Sequence, residues 1–529
     1  MPTNAQGTTP HAAHATPTVL QGIVDKRRTH LPEIHARIAH VDPNALEPST
    51  RSLYHALGGG HPAGQRTRFI MECKSSSPSL GLIREHYQPA DIARVYSRYA
   101  SAISVLCEPE RFGGDYDHLA AVAQSTHLPV VCKDFIISPV QVHAARYFGA
   151  DAILLMLSVL DDAAYAALAA EAERLGLDVI TEVIDEHEVA RATRLGARIF
   201  GINHRDLNDL SIDLGRSARL TPLVSEGAVV LAESGVRDAR VVRSLSGFVH
   251  AFLVGSQLTG RPDVDEAARE LVFGRAKVCG LRTTSAAQVA RACGATWGGL
   301  IFEPASPRNV SRETAREIAA AEPALRYVGV TRATDGFADF LAGVPLTAIQ
   351  LHAPYQGSAA AEEQLICRAR RFAEEEDIQE VWRAVSMNAP EAKAHLDALG
   401  FSGSAAAGVK IPQPGQPVDR IVLDSGSGGT GTAFDWVRVA ELVAEAMRPL
   451  CFIAGGLNLE NLAAALDLRC GGVDLNSGFE YPAGTGNWAG HKDAAALARA
   501  FEILRHHHYP RGEQPPRALS RKNSQHATS

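Results

Sequence analysis

Short apolar runs rich in β-branched residues recur along the chain and alternate with segments of helical composition. Eight such runs occur in the first half, and their starts lie 22 to 34 residues apart. They begin near Phe69, Ile103, Val130, Ala152, Asp178, Phe200, Val229 and Ala251. Alternating strands and helices are typical of a parallel sheet, and eight such units in about 250 residues predict a closed (β/α)8 barrel, the TIM barrel.

A second series of eight runs follows the first without a Pro-rich or Gly-rich linker. These runs begin near Ala276, Trp297, Arg326, Thr347, Val381, Arg420, Cys451 and Gly472. The predicted fold class is therefore α/β, with two tandem TIM (β/α)8 barrels that join near residues 272 to 276 and pack closely or through a helix. The segment 19–38 precedes the first strand and predicts an extra helix over one end of the first barrel.

The 529 residues divide into two barrels and two tails. The end segments are polar, rich in Pro, Ser and His, and poor in periodic apolar positions, which predicts disorder. We expect tails at 1–16 and 506–529, the first barrel at 17–272 and the second barrel at 273–505. Each barrel segment has the length that one TIM barrel needs.

The composition argues against nucleic-acid and membrane partners. The 52 basic and 59 acidic residues give a net charge of −7, which offers no basic field to a polyanion. No apolar stretch approaches about 18 residues, the N-terminus lacks the features of a signal peptide, and the eight cysteines include no C-x-x-C pair. We expect a cytoplasmic protein, monomeric by default, that acts on small molecules.

Charged and amide side chains follow five strands of the first predicted barrel at the points where those strands end. Active sites of TIM barrels lie at this C-terminal edge. Two of the side chains, Lys74 and Lys133, are lysines in a chain with only eight lysines among its 52 basic residues. An ion-pair network that caps the barrel is the alternative, but the two lysines favour an active site. The strand-end residues are Glu72, Lys74, Lys133, Asp134, Glu182, Asn203, Arg205, Glu233 and Ser234.

Small residues follow the seventh and eighth strands of the first barrel and predict a phosphate site. They are Ser234 and Gly235 after one strand, and Gly255 and Ser256 after the next. Backbone N–H groups at such turns bind phosphate without a basic side chain, and TIM barrels often hold a substrate phosphate at this position. A single glycine is common at a strand-to-helix turn that binds no ligand, so the prediction of a phosphate site depends on the presence of two such turns side by side.

The second barrel repeats this arrangement with different candidate groups. Cys279 ends its first strand and Asp424 ends its sixth, which offers one candidate base and one candidate acid. Arg308 and His352 could orient an anion or an aromatic acid, although buried cysteines are commonly inert and His352 could be a core residue. Small and polar residues again follow the seventh and eighth strands, at Gly455, Gly456, Asn476 and Ser477.

Two sets of motifs resemble known enzyme families. ECKSSSPS, CKDFI, TEV, GINHRDL, AESG and FLVGS resemble indole-3-glycerol-phosphate synthase. VCGLR, IFEPASPR, QLH, VLDSGSGGTG, AGGL and DLNSGFE resemble phosphoribosylanthranilate isomerase. From about residue 17 to 505, the order of the motifs resembles the fused bifunctional enzyme of bacterial tryptophan biosynthesis. The resemblance implies a carbon–carbon lyase in the first half and an isomerase in the second.

In the synthase half, the resemblance implies that Lys133 is the general acid in ring closure of carboxyphenylaminodeoxyribulose phosphate. Glu182 would be the general base in the later dehydration, and Glu72 and Asn203 would position both groups. Lys74 would hold the substrate carboxylate and donate a proton in dehydration. The other implied substrate contacts are Ser77, Arg205, Glu233, Ser234, Gly235, Gly255 and Ser256.

In the isomerase half, the resemblance implies an Amadori rearrangement. Cys279 would take the C2 proton of the ribose, and Asp424 would protonate the furanose oxygen and open the ring. Arg308 would contact the anthranilate portion. The other implied substrate contacts are His352, Gly455, Gly456, Asp474, Asn476 and Ser477. Neither reaction requires a metal, a nucleotide or a redox group, so we expect no cofactor.

Two positions depart from the family pattern, and two other functions stay open. Ser75 stands where a second basic residue is common, and Ala353 replaces a glycine after His352. A phosphosugar aldolase that uses Lys133 or Lys74 as a Schiff-base nucleophile is one alternative. A fusion in which one barrel only binds a metabolite or serves as a scaffold is the other.

Overall fold

The computed structural model describes residues 18–78, 80–206, 211–402, 418–426 and 435–510. Internal contacts divide them into two compact units, one drawn from 18–236 and 247–262, the other from 237–246 and 263–510. The structure contains two closed barrels, each of eight strands that pair in parallel. The prediction of an α/β fold with two tandem (β/α)8 barrels is therefore confirmed.

The first barrel has the strand order β1-β10-β9-β8-β7-β6-β5-β4, in which β4 closes against β1. Each of its eight strands starts within one residue of the predicted position. The two remaining strands, β2 and β3, form a short antiparallel hairpin in the segment after β1, which the sequence did not predict. In chain order the ten strands are β1 (Arg68–Cys73), β2 (Ser76–Ser77), β3 (Gly81–Leu82), β4 (Ala102–Leu106), β5 (Val130–Lys133), β6 (Ala152–Met156), β7 (Asp178–Val183), β8 (Ile199–Asn203), β9 (Val229–Glu233) and β10 (Ala251–Val254).

The second barrel runs in sequence order from β11 to β18, and β18 closes against β11. Its strands also start within one residue of the predicted positions. They are β11 (Arg275–Cys279), β12 (Trp297–Ile301), β13 (Arg326–Thr331), β14 (Ala348–Leu351), β15 (Glu380–Ser386), β16 (Arg420–Asp424), β17 (Cys451–Ile453) and β18 (Gly472–Leu475).

Helices and short helical turns connect the strands. Those up to the start of β11 are α1 (Thr18–Arg37), α2 (Leu53–Ala56), α3 (Pro89–Tyr96), α4 (Pro109–Phe112), α5 (Tyr116–Ala123), α6 (Pro139–Tyr147), α7 (Asp162–Arg174), α8 (Glu186–Arg194), α9 (Arg216–Leu220), α10 (Ala239–Leu245), α11 (Ser256–Thr259) and α12 (Val264–Phe273). Those after β11 are α13 (Thr284–Cys293), α14 (Arg312–Ala321), α15 (Ala338–Leu341), α16 (Ala359–Glu375), α17 (Ala392–Ala398), α18 (Val437–Leu442), α19 (Leu462–Leu466) and α20 (Ala494–His506).

Helix α7 shows how local sequence sets the ends of these elements. Asp161 precedes the helix, and its carboxylate accepts a hydrogen bond from the backbone N–H of Ala164, which satisfies one of the donors left open at a helix start. Tyr165, Leu168 and Ala172 form its buried face. Gly176 follows the last turn with a φ of 64°, a left-handed conformation that favours glycine.

The first predicted helix is also present, as α1. Leu20 and Val24 of this helix are buried in the same apolar cluster as the inward-facing residues of the first barrel. In the second barrel the interior holds a stack of aromatic rings, in which Trp382 lies 4.8 Å from Trp297 and 4.9 Å from Phe452 between ring centroids. Among the described residues, no helix is long and apolar enough to cross a membrane.

The C-terminal tail was predicted to begin at residue 506, and the structure differs for residues 506–510. Helix α20 ends at His506, and His507 lies 2.9 Å from the carboxylate of Asp467. Tyr509 is buried, and its ring packs against the guanidinium of Arg469. The prediction of a solvated tail is wrong for His506, His507 and Tyr509, because His506 ends a helix, His507 pairs with a carboxylate and the Tyr509 ring packs against a cation. His508 and Pro510 are exposed. The rest of the predicted tails, 1–16 and 511–529, lies outside the described residues.

Candidate active sites

The charged residues of the first barrel stand on the same inward faces as its apolar core. Alternate residues of a strand share a face, so a polar residue two positions after a core residue points the same way. Four strands repeat this step, with Ile70 before Glu72, Val131 before Lys133, Ile180 before Glu182, and Leu231 before Glu233. The structure thus brings Glu72, Lys133, Glu182 and Glu233 to one end of the barrel interior.

Lys133 lies among three buried carboxylates at the end of β5. Its Nζ donates a hydrogen bond to Glu233 Oε2 at 2.9 Å and lies 3.7 Å from Glu72 Oε2. Burial lowers the pKa of Lys133, but the carboxylates of Glu233, Glu72 and Glu182 outweigh burial and raise that pKa above its usual range. The side chain is therefore an ammonium group at neutral pH, which suits a proton donor.

Lys74 forms a second ion pair at the same end of the barrel. Its Nζ lies 2.5 Å from Glu72 Oε1, so Glu72 is held between two ammonium groups. Burial raises the pKa of Glu72, but Lys74 and Lys133 more than offset burial and lower that pKa below its usual range. The Lys74 ammonium also lies 6.0 Å from the centre of the Phe112 ring, within reach of a cation–π contact.

Glu182 has the opposite electrostatic setting. Its Oε1 accepts a hydrogen bond from Asn203 Nδ2 at 3.2 Å. Burial and the nearby carboxylate of Glu233 outweigh the attraction of Lys133 and raise the pKa of Glu182 to about 7. A carboxyl group in this range exchanges protons at physiological pH, as general acid–base work requires.

The predicted phosphate turns follow two neighbouring strands, because β9 pairs with β10 and Glu233 is the register partner of Leu253. Ser234 and Gly235 both have left-handed φ values, 64° and 76°. At Gly255 a Cβ atom would lie 2.3 Å from Glu72 Oε1, so any side chain there would displace a charged residue of the site. Ser256 begins α11 directly afterwards.

Two further predicted contacts of the first barrel lie in segments that follow strands. Ser77 is buried in the hairpin after β1, and its hydroxyl has no hydrogen-bond partner among the described residues. Arg205 follows β8, where its backbone N–H donates to Asn203 Oδ1 at 3.0 Å and burial lowers the pKa of its guanidinium. Ser75, where a second basic residue was expected, donates to the carbonyl oxygens of Phe112 and Gly113.

All nine predicted site residues of the second barrel line one cavity of about 290 Å³. They are Cys279, Arg308, His352, Asp424, Gly455, Gly456, Asp474, Asn476 and Ser477. A cavity of this size is at the lower end of the range for small-molecule sites. The structure therefore brings the candidate base, the candidate acid and both glycine-containing turns together.

Asp424 and His352 face each other in this cavity. His352 Nε2 lies 3.4 Å from Asp424 Oδ2, and burial holds the pKa of the imidazole below its usual range despite that carboxylate. Gly455 has a φ of 75°, and a Cβ atom there would lie 2.7 Å from Asp424 Oδ1. The turn after β17 therefore approaches the candidate acid as closely as only glycine allows.

The orientation of Arg308 depends on residues that the sequence did not single out. Its Nε and one terminal nitrogen donate to the two carboxylate oxygens of Glu480, both at 2.8 Å. The buried ammonium of Lys492 donates to Glu480 Oε1 at 2.7 Å and to Asn476 Oδ1 at 3.0 Å. The two parallel hydrogen bonds between Arg308 and Glu480 form a fork that fixes the plane of the Arg308 guanidinium before a substrate binds.

Lys277 and Gln350 are also buried beside Cys279 and were missed by sequence reasoning. Lys277 stands inside β11, whereas the candidate residues predicted from the sequence stand at or after the ends of strands. The rarity of lysine in this chain was an available signal, because it applies to Lys277 and Lys492 as it does to Lys74 and Lys133. No group of three or more His, Cys, Asp and Glu side chains in the described part of the chain is arranged to hold a metal ion.

Comparisons with known proteins match both halves of the chain. A family model described as indole-3-glycerol phosphate synthase matches residues 20–271, and one described as N-(5'phosphoribosyl)anthranilate (PRA) isomerase matches residues 276–408 and 379–501. The tryptophan biosynthesis protein TrpCF of Corynebacterium glutamicum is 60% identical over 494 residues, which cover 93% of this chain and 99% of that protein. TrpCF of Salmonella typhi is 42% identical over 87% of this chain and 93% of its own.

These matches extend over nearly the whole described chain and follow the order of the two barrels. The chain therefore belongs to the bifunctional tryptophan-biosynthesis family in which an indole-3-glycerol-phosphate synthase domain precedes a phosphoribosylanthranilate isomerase domain.

Proposed function

We propose that the second barrel converts N-(5-phosphoribosyl)anthranilate into 1-(2-carboxyphenylamino)-1-deoxyribulose 5-phosphate. The first barrel then closes the indole ring of this product, with loss of carbon dioxide and water, to give indole-3-glycerol phosphate. The observation that carries the proposal is the grouping of an acid and a base in each barrel, at the end where the glycine-containing turns lie. The order of the domains along the chain is opposite to the order of the two reactions.

In the isomerase barrel, Asp424 protonates the furanose oxygen, and the ring opens to an iminium at C1. Cys279 then removes the C2 proton, and the electron pair of that C–H bond forms the C1–C2 double bond of the enolamine. The cavity supports this assignment because both residues line it. Arg308 binds the anthranilate carboxylate in the plane that Glu480 fixes, and the turns at Gly455 and Ser477 receive the phosphate.

In the synthase barrel, Lys133 protonates the ketone oxygen while the aryl carbon attacks, and loss of carbon dioxide from that carbon restores the aromatic ring. Lys74 then protonates the departing hydroxyl group, and Glu182 takes the proton from the ring nitrogen as the indole double bond forms. The three carboxylates around Lys133 support this role, because they keep its amine protonated. A Schiff-base lysine must instead be neutral to attack a carbonyl. The same environment therefore argues against the aldolase alternative.

A coupled assay on the purified chain tests the proposal. Supplied with N-(5-phosphoribosyl)anthranilate alone, the protein should form indole-3-glycerol phosphate, with the deoxyribulose intermediate appearing first. Borohydride added during turnover should leave no adduct on Lys133 or Lys74. Absence of the indole product, or a stable lysine adduct, would overturn the assignment.

A further inference from the structure

The side chain of Lys277 is fully buried and contacts Cys279 and Asp474, two residues that line the isomerase cavity. Its Nζ donates to Asp474 Oδ2 at 2.7 Å, to Gln350 Oε1 at 2.8 Å and to Cys279 Sγ at 3.3 Å. An ammonium group has three hydrogens and no acceptor, whereas a neutral amine has only two hydrogens. Three acceptors around one nitrogen therefore match the charged form of Lys277.

A buried thiol needs such support to act as a base. Burial disfavours the thiolate, and it raises the pKa values of Cys73 and Cys451 well above the usual range. Cys279 is buried to a similar degree, and burial together with the Asp474 carboxylate also raises its pKa. Unlike those two thiols, Cys279 receives a hydrogen bond from an ammonium group, which acts in the opposite direction.

Charged groups from several strands surround Cys279. Lys277 on β11 pairs with Asp474 on β18. Arg308 after β12 and Lys492 after β18 both pair with Glu480. Asp424, His352, Glu303 and Arg332 line the same cavity. Lys277 donates a hydrogen bond to the sulfur itself, so its ammonium group stabilises a negative charge there.

We propose that Lys277 is a positioning residue of the isomerase site, which stabilises the Cys279 sulfur as a thiolate and directs it into the cavity. This inference depends on the proposed role of Cys279 as the base. During the reaction the S–H bond forms as the C2–H bond breaks, the electron pair moves into the C1–C2 double bond, and the iminium nitrogen becomes neutral. Lys277 keeps its proton throughout and never contacts the substrate carbon.

The pH dependence of isomerisation in Lys277→Met tests this role. Without the ammonium group the thiol should ionise at higher pH, so the acid limb of kcat/KM should move up by about one to two pH units. At neutral pH this shift corresponds to a loss of about 10- to 100-fold in kcat/KM. Lys277→Arg should keep the acid limb near its original position, even if its larger group lowers kcat.

Lys393→Met is the matched control, because Lys393 is exposed and pairs only with Asp397 on the surface of α17. It should leave the pH profile unchanged. The ultraviolet absorbance of thiolate, titrated with pH as the difference between the wild-type chain and Cys279→Ser, should appear at higher pH in Lys277→Met. An acid limb and a thiolate signal that both stay in place would overturn the proposal.

Lys277→Met could fail to fold because Asp474 would be left buried and unpaired, so a second pair of variants is compared in which the charges are balanced. Lys277→Gln combined with Asp474→Asn removes both charges together, and Asp474→Asn alone is its reference. The acid limb of the double variant should lie above that of the reference, and coincident limbs would contradict the role of Lys277. Cys279→Ser tests the role of Cys279 apart from that of Lys277, because an active Cys279→Ser variant would show that Cys279 is not the base.

Discussion

At the scale of single residues, charge in the synthase site is not evenly matched. Three carboxyl groups, Glu72, Glu182 and Glu233, share two ammonium groups, Lys74 and Lys133. Glu72 and Glu233 each form a direct ion pair, whereas the carboxylate of Glu182 accepts from the neutral amide of Asn203. The pKa of Glu182 rises to about 7, which supports its proposed role as the base.

Glu182→Gln should abolish most of the synthase activity. Loss of a general base costs about 10²- to 10⁴-fold in rate, and glutamine keeps the shape of the side chain. In the wild-type chain, synthase kcat/KM should fall as pH decreases through about 7, because the base becomes protonated. The measurement is synthase kcat/KM from pH 5 to pH 9 for both proteins. A variant with wild-type activity would contradict the role of Glu182.

Gly255→Ala should impair the synthase through a steric contact. The added Cβ would lie 2.3 Å from Glu72 Oε1. The displaced carboxylate would release Lys74 and Lys133, so we expect at least about a tenfold loss of synthase kcat/KM. Gly22→Ala in α1 is the control, since a Cβ there meets no atom within 4 Å, and it should keep full activity.

At the scale of elements, the strands could be predicted closely and the contacts between their ends could not. Each barrel strand is a short apolar run with a polar residue near its end, so its place depends on local pattern. The fork from Arg308 to Glu480 joins residues 172 positions apart, and no local pattern encodes that pairing. The rarity of lysine could have marked Lys277, but its three hydrogen-bond partners come from separate parts of the chain, and no local pattern identifies them.

Helix α1 illustrates how an element outside the barrel supports the site. Arg27 of this helix forms a fully buried ion pair with Asp134, at 2.5 Å. Asp134 directly follows Lys133 and also accepts hydrogen bonds from Tyr116 and Gln141. The helix therefore holds the end of β5, and with it the backbone that carries the proposed general acid.

Arg27→Met should destabilise the first barrel. Removing one partner of a buried ion pair leaves an uncompensated charge, which costs about 3 to 5 kcal/mol. Loss of synthase activity on heating, followed after return to the assay temperature, should occur several degrees lower than in the wild-type chain. Arg28→Met is the control, because Arg28 is 59% exposed and pairs with Asp25 on the surface. Equal heat sensitivity of the two variants would show that α1 does not support the strand.

At the scale of the whole molecule, a chain with net charge −7 is proposed to bind anionic substrates. Individual cations stand at each site despite this net charge, with Lys74 and Lys133 in the first barrel and Arg308 in the second. Both barrels also have glycine-containing turns at the same end, where backbone N–H groups can bind a phosphate. Each barrel closes on its own eight strands and carries its own proposed acid and base. As proposed, the two reactions therefore require no shared side chain.

Lys133→Ala and Asp424→Asn should each remove one activity and leave the other near the wild-type value. Lys133 pairs with Glu72 and Glu233 of the first barrel, and Asp424 lines the cavity of the second. Loss of a general acid should cost at least about 10²-fold in the affected kcat/KM. Each reaction is measured with its own substrate, and circular dichroism checks that both variants are folded.

A mixture of the two variants should restore the conversion of N-(5-phosphoribosyl)anthranilate to indole-3-glycerol phosphate, because each supplies the site that the other lacks. A folded single variant that lost both activities would show that the two sites are not independent.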